Sequence, residues 1–88
     1  MPKPIVLSRH AREQCLRRHA DPAEVGDAIR TSPCEPAKSG RCRARKTMAF
    51  GKPSPVTGKV YQWRAVEAIF AEEANRLVVV TVIVKYWN

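Results

Sequence analysis

A chain of 88 residues with 44% hydrophobic residues holds one domain with a single modest core and is too apolar to be a disordered basic tail. Sixteen Lys/Arg against eight Asp/Glu give a net charge of +8 and a pI near 10.0, a balance that attracts polyanions, nucleic acid first. The longest apolar run, Leu77–Val84 broken only by Thr81, is strand length and far too short to span a membrane.

In chain order, Pro4–Leu7 is a short edge-strand candidate. Ser8 is a good N-cap for a helix over Arg9–His19 with a thin apolar stripe of Ala11, Cys15 and Leu16. His10, Gln14 and Arg17 share a polar face of it, with Arg18 on the flank. Asp21 caps a second helix, with Pro22 in its first position, Glu24 three residues after the cap, and Val25, Ala28 and Ile29 as the buried face. Pro33 and Pro36 end it. Arg41–Phe50 reads as an arginine-rich strand and Gly51–Lys59 as a loop. Val60–Ala71 is a second strand, Glu72–Asn75 a turn, and Arg76–Trp87 the best strand of the chain. Alternation puts Val78, Val80, Val82 and Val84 on its helix-facing side, and its apolar character on both faces predicts a central position. The expected fold is α+β: one domain over 1–88, two N-terminal helices packed on a three- or four-stranded antiparallel sheet.

The charge is concentrated. No acid occurs between Glu35 and Glu67, a stretch that holds eight Lys/Arg. Arg41, Arg43, Arg45, Lys46 and Lys59 are therefore the candidate nucleic-acid-binding residues. Tyr61 and Trp63 read first as core or cross-strand partners and second as base-stacking platforms. Cys15, Cys34 and Cys42 form no CxxC pair and fit no common zinc spacing, so neither metal nor other cofactor is expected. The odd count, with no signal-peptide pattern, predicts a reducing, cytoplasmic setting.

There is no phosphate-cradling glycine loop, no HExxH and no GxSxG, so any active site is assembled from scattered residues. Metal-free RNA cleavage needs a base for the 2′-hydroxyl, an acid for the leaving oxygen and cations for the phosphorane. His10 is the natural acid–base group because imidazole titrates near neutrality. Arg17 or Arg18 suits bidentate phosphate binding, with Arg64 as a further cation. Thr81, a hydroxyl in an apolar strand, suits a phosphate hydrogen bond. Tyr86 and Lys59 complete the candidates.

The segment Ser8-Arg9-His10-Ala11-Arg12-Glu13-Gln14-Cys15, then Arg18, Asp21–Ile29 and the Thr81-bearing last strand, resembles a small prokaryotic domain family of unknown function. That family opens with Ser/Thr-x-His-Ala and is similar to RelE-like toxins of the barnase–EndoU–colicin–RelE ribonuclease superfamily. The resemblance implies a RelE/barnase-like fold and metal-independent RNA cleavage, with RNA as substrate and an antitoxin or immunity protein as partner. It assigns His10, Arg18 and Thr81 to the family's site positions. The family often has arginine four residues after the histidine; this chain has Gln14, and Arg17 is the nearest substitute. Three readings follow: a toxin-type endoribonuclease, a non-catalytic nucleic-acid-binding module, and an interaction protein that docks an acidic partner. Convergence of His10, Arg17, Arg18 and Thr81 in one cleft favours the first; dispersal of these, with the arginines on a flat stripe, favours the second.

Overall fold

The structure is a computed structural model that describes residues 3–88. Its elements run β1 (Ile5–Leu7), α1 (Arg9–Arg18), α2 (Pro22–Thr31), β2 (Cys34–Pro36), β3 (Cys42–Pro53), β4 (Val60–Glu72) and β5 (Leu77–Trp87), with a single 3-10 turn at Lys38–Gly40. Both helices start as their caps dictate. The Ser8 hydroxyl accepts from the Ala11 N–H, and Asp21 and Glu24 form a reciprocal capping box. The α1 stripe buries Ala11 and Cys15 but leaves Leu16 exposed.

The α+β class holds, but the sheet has five strands in the order β1-β5-β4-β3-β2, and it is mixed rather than antiparallel. β1 pairs with β5 in parallel, Ile5 opposite Leu77, because α1 and α2 carry the chain over the sheet before it re-enters from the far edge. β2 adds an edge beside β3; Pro36 is tolerated because an edge strand has one unpaired side. β4 is the central strand. β5 is internal only along Leu77–Val79, where β1 covers it. Just beyond, the Gln14 side chain on α1 accepts the Val82 N–H at 2.7 Å. Gln14 therefore faces the sheet and occupies an edge donor, instead of lying on a solvated face with His10.

The helices cover one face of the sheet, α1 over β5 and α2 over β3 and β4. Their core comprises Ala11, Cys15, Val25 and Ile29 against Ala44, Val66, Ala68, Phe70, Val79 and Val82. The expected row Val78, Val80, Val82, Val84 is only half right. A bulge in β5 pairs Ile69 with Thr81 but Phe70 with Val79, which leaves Val80 as the extra residue. One extra residue reverses the alternation, so Leu77 and Val79 face the core before the bulge, and Val82 and Val84 after it. A second bulge, in β3 between Ala49 and Lys52, contains Gly51 at φ +62°, a backbone region that side chains rarely adopt. β3 thereby extends to Pro53, and the loop shortens to Ser54–Lys59, closed by Ser54 hydrogen bonds to Val56, Gly58 and Lys59.

Candidate functional site

Among the described residues, no helix lies on the other face of the sheet. The strand register places Arg43, Arg45 and Thr47 of β3, Trp63, Ala65, Glu67 and Ile69 of β4, and Thr81, Ile83, Lys85 and Trp87 of β5 on it. Trp63 and Trp87 are directly opposite, and Trp63 is 41% exposed. The Arg45 guanidinium reaches across β4 and lies over Trp87, 5.5 Å from the ring centroid. Lys85 Nζ lies 3.1 Å from the Glu67 carboxylate, which is itself buried. A groove of about 230 Å³ runs beside them, lined by Pro33, Glu35, Arg43, Arg45, Thr47 and Glu67. The result is an open sheet face on which a pair of indole rings lies beside Arg43, Arg45 and Lys85, with the carboxylates of Glu35 and Glu67 set among them.

A second concavity lies on the helix side, where α1 ends. Its first half, about 340 Å³, is lined by His19, Glu24, Met48, Phe50, Lys52 and Arg64 among others, and its second half by Arg18, Ser54, Thr57 and Tyr61. Tyr86 forms a wall of both, and its ring meets Phe50 at 5.2 Å and Tyr61 at 5.6 Å. Arg64 is buried here. It pairs with Glu24 and donates to the His19 carbonyl at 3.3 Å and to Met48 Sδ at 3.6 Å. His19 itself is in the left-handed conformation, φ 55°, that ends α1, and its N–H donates to the Cys15 carbonyl. Burial pushes the Glu24 carboxyl up, but the Arg64 hydrogen bond, the Asp21 N–H and the Arg64 charge outweigh it and hold the group below its ordinary value. Burial likewise works against the Arg64 charge, and Glu24 and Tyr86 more than restore it. Cys15, buried and near Asp21 and Glu24, has its thiol pushed up and serves the core.

The catalytic candidates do not meet in one cleft. His10 is exposed in the first turn of α1, about 12 Å along the helix axis from Arg18. Arg17 is exposed; Arg18 and Arg64 reach the two halves of the Tyr86 concavity. Thr81 shares the open face, with the sheet between it and Arg18. Of the binding candidates, Arg43 and Arg45 are on the open face. Arg41 is exposed just before β3 and Lys59 just before β4, and Lys46 points to the helices and pairs with Asp27. Sequence reasoning missed His19, Glu67 and the Trp87 platform. Glu67 stands two residues from Ala65 and Ile69 on the Trp63 face, and that period-two pattern was the available signal for it. Among the described residues no group of three His, Cys, Asp or Glu is placed to hold a metal, and no helix is long and apolar enough to cross a membrane.

No family model, no curated protein and no solved structure matches this chain.

Proposed function

We propose that the protein is an RNA-binding module that reads single-stranded RNA on the open face of its sheet. The observation that carries this is the uncovered row of Trp63, Trp87, Arg45, Arg43 and Lys85. Indole rings stack on unpaired bases, and the neighbouring cations follow the phosphates. An open sheet face suits splayed single-stranded bases better than it suits a duplex. The net charge of +8 supplies the long-range attraction. Affinity for oligouridylate, followed by fluorescence anisotropy, is expected to fall with salt at a log–log slope of about −0.7 per phosphate contact. Replacing Arg41, Arg43 and Arg45 by Gln flattens that slope. Trp63→Ala weakens binding by about 1–3 kcal/mol for each base it stacks. Salt-independent binding, or none at low salt, rules the reading out.

The Tyr86 concavity supports a second reading, a metal-independent endoribonuclease of the toxin type. Arg18 and Arg64 flank Tyr86 there, and His19 provides the one imidazole. On this reading total RNA is cut in EDTA, leaving 2′,3′-cyclic phosphate ends, because the 2′-hydroxyl is the nucleophile. His19→Ala abolishes cutting, and His10→Ala does not. If the purified protein leaves RNA intact, or the His19 variant cuts as fast as the parent, this activity is absent.

A further inference from the structure

We infer that the groove that Glu67 lines with Arg43 and Arg45 is a subsite for a guanine base, which rests on the open sheet face being the RNA-binding surface. Glu67 is only 4% exposed, although it lies on the face that no helix covers. Its Oε2 is sealed from solvent and has no hydrogen bond. Lys85 Nζ, 3.1 Å away, balances the charge from an angle outside hydrogen-bonding range. An ionised carboxylate offers about four acceptor positions, and a buried one left unfilled is costly. The side chain is thus held in place, desolvated, with acceptor capacity to spare.

The chemistry of the groove selects the base. Its volume of about 230 Å³ is below the roughly 300–1,000 Å³ of pockets for whole drug-sized ligands, which suits one planar ring system. Only guanine carries two adjacent donors, N1–H and N2–H, that match both oxygens of one carboxylate. Its O6, the next atom along the same edge, is an acceptor. Arg45, opposite Glu67 in the β3–β4 register, and Lys85 on the other side supply donors to it. Adenine, cytosine and uracil each present a single donor site on that edge, beside at least one acceptor that would face Glu67 unfavourably. Lys85, whose side chain is 54% exposed, is free to leave Glu67 Oε2 and turn to O6 as the base enters.

The test uses short oligouridylates that carry guanosine, adenosine, cytidine, uridine or inosine at one central position, with binding read by anisotropy. Guanosine is expected to bind about ten- to a hundredfold more tightly than the other natural bases, the usual scale for a bidentate contact. Inosine lacks the N2 amine and falls back toward uridine; this arm needs only the unaltered protein. Glu67→Gln places a donor against guanine and removes the preference for it over the other bases. If all five oligomers bind alike, or another base is preferred, the subsite is refuted and RNA binding stands. If none of them binds, the RNA-binding reading fails as well.

Discussion

Val79→Asp is expected to abolish the cooperative thermal unfolding of the domain. Val79 is completely buried on the core face of β5, opposite Phe70 and beside the end of β1. An unpaired carboxylate there costs several kcal/mol. A domain of this size has only about 5–10 kcal/mol of stability in all. Far-ultraviolet circular dichroism should show a broad, non-cooperative melt. Val80→Asp is the control: Val80 is the extra residue of the bulge and half-buried, so its variant keeps a sigmoidal melt. If the two variants behave in the opposite way, the bulge is misplaced and the simple alternation is correct.

That pair of residues also marks where the fold stops being legible in the chain. Caps and breakers are local, and Ser8, Asp21-Pro22 and Pro33 placed both helices to within a residue or two. The hairpin strands β3, β4 and β5 are long and carry their own pattern. β2 has three residues and includes a proline, so nothing in Cys34-Glu35-Pro36 announces a strand; only the arginine-rich edge of β3 gives it a partner. The parallel pairing of β1 depends on the path of the helices and has no local signature. The β5 bulge is hidden because Leu77–Val84 is apolar at every position but one, and a run with two apolar faces does not reveal where its alternation reverses.

The candidate site was legible in composition and not in geometry. The acid-free, arginine-rich segment pointed to a basic surface, and Arg43 and Arg45 lie on one. Lys46, in the same run, turns inward because strand neighbours point to opposite faces, and Asp27 of α2 meets it there. His10 is the sequence's acid–base candidate on the general chemistry of imidazole and on the family resemblance, yet His19, at the other end of α1, is the histidine that lines a concavity. Arg64 read as a free cation; its buried pairing with Glu24 joins residues forty positions apart and depends on α2 lying across β4.

That pairing carries the other large effect. Arg64 is 5% exposed and Glu24 is the carboxylate that neutralises it, so Glu24→Ala leaves a buried guanidinium with only the His19 carbonyl, the Met48 thioether and Tyr86 beside it. Removing one partner of a fully buried pair costs about 3–5 kcal/mol, and the one-third exposure of the Glu24 side chain lowers the expectation to about 2–4 kcal/mol. For a domain of this length the melting temperature should drop on the order of 10–30 °C. The double variant Glu24→Leu with Arg64→Met should recover much of that loss, since apolar replacement of both partners removes the stranded charge. The acid dependence has a definite sign. The folded-state Glu24 value is depressed, so its stabilisation is fully present above the ordinary carboxylate pKa, about 4.3, and is lost as pH falls through the lower folded value. The stability difference between the parent protein and Glu24→Gln should therefore be flat from neutral pH to about pH 5 and shrink below about pH 4. A difference that grows on acidification, or a double variant no more stable than Glu24→Ala, would show that Arg64 does not depend on Glu24 in solution.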